Sequence, residues 1–183
     1  MDDTLVLLNA RAGAVIDVGL DRVRDTLTSA LKGRARRFEI RPVRPAQLRE
    51  EIERAAKSSV STLIVGGGDG SVNCAVNALA GSDKTLGVLP FGTMNLFARD
   101  LGMPADIEAA MESIGAATPR RVDLAQVNGR YFHSLSGLGF FSQMARAREE
   151  VRGHPLGRIA GVAIAAVRAL RRTEPFTLDI RTE

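Results

Sequence analysis

Apolar positions along the chain fall into two alternating rhythms. Residues 4–8 form a continuous apolar run that breaks at Asn9-Ala10-Arg11-Ala12-Gly13, the pattern of a buried strand entering a glycine-containing loop. Leu20, Val23, Leu27 and Leu31 then recur at helical spacing and stop at Gly33, which predicts an amphipathic helix. Residues 38–42 predict a second strand, and Pro45 opens a helix whose inward face is Leu48, Ile52, Ala55 and Ala56. A third strand, 62–65, runs into Gly66-Gly67-Gly68-Asp69-Gly70-Ser71 and a helix with Val72, Ala75, Val76 and Leu79 inward. The fourth, 85–89, ends at Pro90-Phe91-Gly92-Thr93, and 106–114 predicts another helix.

Strands alternating with amphipathic helices predict an α/β fold, a doubly wound parallel sheet, because parallel neighbours need helical crossovers. Ligands of such sheets bind at the strand C-termini. The loops at 9–13, 66–71 and 90–95 all sit at such ends and can converge on one site. After Pro119 the rhythm changes: 121–127 and 130–135 flank Asn128-Gly129, the preferred two-residue type I′ hairpin turn. The expected organisation is an α/β domain over 1–120 and the incomplete start of a second, β-rich domain over 121–183. In that second part, a basic helical stretch to Arg172 precedes a strand at 176–181. So few strands leave sheet edges unpaired, so the chain is expected to end inside its second domain and to form a homo-oligomer through those edges.

Composition narrows the classes. With 183 residues, 45% hydrophobic and 25% charged, the chain can bury a core. Aromatics are only 4%, with no Trp, which argues against the stacking platforms of single-stranded nucleic acid binders; no nucleic acid partner is expected. A single cysteine, Cys74, and the lack of a Cys/His cluster exclude disulfide scaffolds and zinc fingers and fit a reducing, cytoplasmic compartment. Cys74 reads as a small structural residue, and His133, in an apparent strand, as an ordinary packed or surface histidine. Met1-Asp2-Asp3 lacks the basic start of a signal peptide, and the longest apolar run, 159–167, falls far short of the roughly 20 residues that span a bilayer. The net charge is +4, and only Lys32, Lys57 and Lys84 among the 25 basic residues are lysines. An arginine surplus suits phosphates or anionic lipid, but scattered surface arginine gives the same count. Residues 146–172 stay open in the same way: arginines around an apolar run fit a helix lying on anionic lipid or one packed on the rest of its domain.

The chemistry concentrates in 66–71. A glycine-rich turn between strand and helix lets backbone N–H groups approach phosphate oxygens, where the helix dipole adds positive potential. The loop lacks the lysine of a P-loop, and Ser71 stands where a Rossmann motif has its third glycine, so it reads equally as a tight β–α turn. Asp69 tips the balance toward Mg²⁺-dependent nucleotide chemistry, because an acid beside phosphates needs a cation or hydrogen bonds to offset repulsion. As an alternative, it accepts hydrogen bonds in an Asx-type turn.

Gly67-Gly68-Asp69-Gly70-Ser71 with Asn73 and Asn77 is followed by Leu86-Gly87-Val88-Leu89-Pro90-Phe91-Gly92-Thr93-Met94-Asn95, Ala98-Arg99 and Leu101-Gly102-Met103-Pro104. In order and spacing this resembles the diacylglycerol kinase catalytic-domain family, which includes bacterial lipid kinases and sphingosine kinases. Asn9 to Gly13 resembles its Asn-Pro-x-x-Gly loop, and Val122-Asp123-Leu124, Tyr131-Phe132 and Gly137-Leu138-Gly139-Phe140 resemble the start of its β-sandwich domain. The resemblance implies an ATP-dependent lipid kinase that phosphorylates a lipid hydroxyl at a membrane surface, peripheral at the inner face. It implies ATP contacts from Asn9, Gly66, Gly67, Gly68, Asp69, Gly70, Ser71, Asn73, Gly92, Thr93 and Asn95. Asp69 and Asp123 would form a water-linked Mg²⁺ network and carry the catalytic role within this chain. The family's base would lie beyond Glu183. Ala10 in place of proline, Leu96 in place of an acid and Cys74 in place of a glutamate depart from the pattern, as does the absence of a threonine in 41–44. Two alternatives remain at this level: an NAD kinase-like phosphotransferase, which shares Gly-Gly-Asp-Gly, and a nucleotide-responsive binding module without catalysis.

Overall fold

A computed structural model of the chain describes residues 3–134 and the helical pair Ala166 and Val167. The strand expected at 176–181 lies outside the described residues, as does the stretch 146–172 apart from that pair. Four parallel strands form the sheet: β1 (Asp3–Asn9), β2 (Arg37–Val43), β3 (Thr62–Gly67) and β4 (Thr85–Pro90), in the order β2-β1-β3-β4. The helices of this unit are α1 (Gly13–Val18), α2 (Leu20–Leu31), α3 (Pro45–Lys57), α4 (Asp69–Leu79), α5 (Leu96–Asp100) and α6 (Ile107–Ile114).

Side-chain alternation on β1 explains why its sequence is apolar throughout: both faces are covered. Val6 and Leu8 pack with Ile64 against Val15, Val23, Leu27, Leu31 and Met111 of α1, α2 and α6. On the opposite face Leu5 and Leu7 join Leu63 and Val65 against Leu48, Ile52 and Ala55 of α3 and Ala75 and Leu79 of α4. The sheet is therefore doubly wound. Because the chain leaves β1 toward β2 and returns past it to β3, the winding direction reverses between β1 and β3, which is where open sheets of this kind leave a crevice.

Two short helices were not legible in the pattern. The helix expected from Leu20 is preceded by α1, and the two are separated at Gly19, whose φ of +90° interrupts helical geometry. The loop after β4 continues into the five-residue α5, which starts from Asn95 in the left-handed region at φ +49°.

The hairpin is shorter than expected, with β5 (Ala125–Val127) antiparallel to β6 (Arg130–Phe132) and 121–124 outside any regular element. Asn128 and Gly129 between them both have positive φ, +50° and +76°, as a type I′ turn demands. Leu124 and Tyr131 pack against a third apolar cluster of Val72, Val76, Val88, Phe97 and Ala98. Among the described residues no helix is long and apolar enough to cross a membrane.

Candidate functional site

The three loops meet at the C-terminal end of the sheet, each brought there by its own strand. Leu8 pairs with Gly66, so Asn9 emerges beside Gly67; a β-carbon on Gly67 would lie 3.8 Å from that of Asn9. Asn9 folds its own loop, its Oδ1 accepting the Arg11 N–H at 3.0 Å, and Ala10 N–H extends the ladder to the Val43 carbonyl at 2.9 Å. That bond is possible because alanine stands where the family's proline would remove the N–H.

The glycines of the second loop do different things. Gly66 and Gly67 are buried and still in β3. A methyl on Gly66 would run into Leu8 and Phe91, and one on Gly67 into the Ser71 side chain, so these two admit close packing. Gly68 caps the start of α4, its carbonyl accepting the N–H groups of Ser71 and Val72 at 2.9 and 3.1 Å. The amides of Asp69 and Gly70 head the helix with no carbonyl behind them, and open space surrounds Gly70. An eleven-residue helix thus offers free N–H groups and the positive end of its dipole at the crevice.

The third loop is locked onto the second. Gly92 approaches so closely that a β-carbon there would sit 2.3 Å from the Gly68 Cα. Asn95 holds the turn: its Oδ1 accepts the Gly92 N–H at 2.8 Å, and its Nδ2 donates to the carbonyls of Pro90 and Gly92 at 3.0 and 2.8 Å. Asp69 joins the loops through its Oδ1, which accepts the Leu96 N–H at 2.7 Å. This bond uses the backbone of Leu96, so it survives the loss of an acid at that position. Cys74 is half-buried against the cluster between the sheet and α3, where the thiol is packed.

Thr93 is exposed at the loop tip, and Asn73 is half-buried on α4, its Oδ1 3.5 Å from Asn77 Nδ2. Asp123 is exposed just ahead of β5. Arg41 is taken up by Glu39 and Glu51 at 2.7 Å each. His133 packs against Phe97, with ring centroids 4.6 Å apart and the rings tilted by 36°, and its Nδ1 is buried without a partner.

With one carboxylate oxygen committed to Leu96, Asp69 has its other oxygen to offer. Among the described residues no group of three or more His, Cys, Asp or Glu could hold a metal ion. One free carboxylate oxygen does not by itself cage a cation; a Mg²⁺ ion here would also need waters and substrate phosphate oxygens as ligands.

A doubly wound α/β domain with a glycine-rich helix start at its switch point is the class that fold and site define. Within that class, the family described as Diacylglycerol kinase catalytic domain matches residues 3–127, more than half of the chain, and the chain belongs to that family. The diacylglycerol kinase of Bacillus subtilis (strain 168) is 43% identical over 93 residues, covering 49% of this chain and 31% of the relative. That of Staphylococcus epidermidis is 40% identical over 97 residues, covering 52% and 31%. A crystal structure of a diacylglycerol kinase from Bacillus anthracis strain Sterne superposes with a TM-score of 0.62 at 30% identity, over 71% of this chain and 44% of that one. The chain thus spans about a third of the length of these curated relatives.

The signal for Asn95 was in its motif. No sequence signal marked the Asp69–Leu96 bond, which joins residues 27 apart through a backbone amide.

Proposed function

We propose that the chain is the nucleotide-binding part of an ATP-dependent lipid kinase of the diacylglycerol kinase type, moving the ATP γ-phosphate to a lipid hydroxyl. The observation that carries this reading is the convergence of three loops on the free amides of Asp69 and Gly70. Family membership favours it over the NAD kinase-like and non-catalytic alternatives.

In this reading the amides at the start of α4 take phosphate oxygens, and Ser71, Thr93 and Asn9 line the same crevice. Asn95 fixes the shape of the Gly92 loop and Asp69 ties that loop to the second, so the amides are fixed before nucleotide arrives and need no reorganisation. Asp69 and Asp123 are the residues that would hold a Mg²⁺ ion brought with the nucleotide. When bound, that ion neutralises charge on the phosphates. The acceptor lipid is presented at a membrane surface, with the enzyme peripheral to the cytoplasmic face, and residues from 121 onward open a second, β-rich domain.

Radiolabelled phosphate transfer to mixed micelles of diacylglycerol tests the reading on the complete protein. Transfer that requires ATP and Mg²⁺ is the expected result. Transfer to NAD in place of lipid, or nucleotide binding without transfer, would replace it with one of the alternatives.

A further inference from the structure

The hairpin is fastened to the two helices that start at the site, and one side chain accounts for the fastening to the first. With Asn128-Gly129 as the turn, Val127 and Arg130 form the hydrogen-bonded pair next to it. The next pair, Gln126 and Tyr131, is then a non-hydrogen-bonded one, whose N–H and C=O groups point away from the partner strand. Tyr131 therefore presents its peptide groups to the free edge of β6. Asn77 of α4 satisfies both: its Oδ1 accepts the Tyr131 N–H at 2.9 Å, and its Nδ2 donates to the Tyr131 carbonyl at 2.8 Å. The carboxamide thus acts as one peptide group of a missing neighbouring strand and fixes the register of β6 on α4. A second attachment follows two residues on, where the His133 ring packs, tilted, against Phe97 of α5.

These attachments matter because of where the two helices begin. α4 starts at Asp69, and α5 starts at Leu96, whose N–H Asp69 accepts. Leu124, like Tyr131, packs against the third cluster, which includes Val72 of α4 and Phe97 of α5, and Asp123 is its immediate neighbour in sequence. Holding Tyr131 on α4 consequently holds the hairpin whose first strand begins two residues after Asp123.

We infer that Asn77 is a positioning residue: by pairing with both peptide groups of Tyr131 it sets the place of Asp123 relative to Asp69, and with it the use of a divalent cation by the bound nucleotide. The inference rests on the proposed metal role of the two acids, and the experiment separates the two. Tyr131 is the only tyrosine and there is no tryptophan, so tyrosine fluorescence anisotropy and near-ultraviolet circular dichroism report on the hairpin directly. Asn77 is exposed, and alanine is a better helix former than asparagine, so Asn77→Ala leaves α4 itself sound. Asn77→Asp keeps the acceptor for the Tyr131 N–H but sets a carboxylate against the Tyr131 carbonyl.

In the full chain, both variants should loosen the Tyr131 signal while leaving the far-ultraviolet spectrum and ATP affinity in EDTA unchanged. The Mg²⁺ concentration that gives half of the metal-dependent gain in ATP affinity, read by calorimetry, should rise at least about fivefold. An unchanged Tyr131 signal overturns the inference, and so does a loosened hairpin with an unaltered Mg²⁺ requirement when Asp123→Asn raises that requirement. If Asp123→Asn has no effect on the Mg²⁺ requirement, the metal role of Asp123 falls instead. Asn77 then loses its bearing on the cation, whatever the Tyr131 signal shows.

Discussion

A methyl group added at Gly92 should be far more damaging than the same methyl added at Gly68, although the two glycines face each other across one contact. At Gly92 the new carbon would lie 2.3 Å from the Gly68 Cα, 2.9 Å from Asn95 Oδ1 and 3.1 Å from the Gly68 nitrogen. Two of these neighbours are backbone, so relief means parting the second and third loops by about 1 Å. That motion strains the Asp69 bond to Leu96, and the clash with Asn95 Oδ1 disturbs the bond it accepts from the Gly92 N–H. At Gly68 the only close neighbour is the Gly92 Cα at 3.3 Å, which a shift of a few tenths of an ångström relieves. Overpacking costs typically about 1–3 kcal/mol, and a weakened hydrogen bond roughly 1 kcal/mol more. Gly92→Ala should thus lose about 2–4 kcal/mol and Gly68→Ala less than about 1 kcal/mol. Urea unfolding followed by far-ultraviolet circular dichroism measures both. Equal midpoint shifts, or a Gly92→Ala protein as stable as wild type, would refute the close approach of the loops and with it the preformed crevice.

Asp69→Asn retains an acceptor for the Leu96 N–H but not the charge, so stability should change by less than about 1 kcal/mol. Turnover of the complete enzyme should fall at least about tenfold, or about 1.4 kcal/mol, and near-normal turnover at limiting Mg²⁺ would remove the metal role. Asn95→Ala forfeits three hydrogen bonds and leaves a β-carbon at φ +49° without the polar side chain that tolerates this region, whereas Asn95→Gly forfeits the bonds but removes the β-carbon; thermal melts should show alanine worse by about 1 kcal/mol. Asp3 is held below the ordinary carboxylate range, chiefly by its hydrogen bond from Arg36, with Arg37 adding to the pull. A depressed acid stabilises the fold above its unfolded pKa and loses that contribution as pH falls through its folded one. Wild type and Asp3→Asn should therefore differ in urea midpoint above about pH 5 and converge in more acid solution.

The fold was legible where burial dictates pattern. Residues 4–8 and 62–65 must be apolar because the sheet is covered on both faces, and the stripe from Leu20 to Leu31 must recur because α2 covers one of them. Neither rule reaches α5, whose five residues are too few for a period and whose start depends on an asparagine in the left-handed region. The site was legible as glycines but not as a division of labour among them. Gly66 and Gly67 serve packing and Gly92 the approach of a second loop, distinctions made by neighbours remote in sequence. The hairpin strands are shorter than their alternation predicts, because 121–124 has no partner strand among the described residues.

The order β2-β1-β3-β4 also bears on how the chain acquires its fold during synthesis. β1 is central in the sheet but is the first of these strands to be made, and its neighbours pair with it only after residues 43 and 67 have been added. For that interval a nearly continuous apolar segment waits without a partner, the condition under which a nascent chain is most open to aggregation or to chaperone capture. Substitutions that delay the pairing of β3 should accordingly lower the yield of folded protein more than they lower its stability once folded.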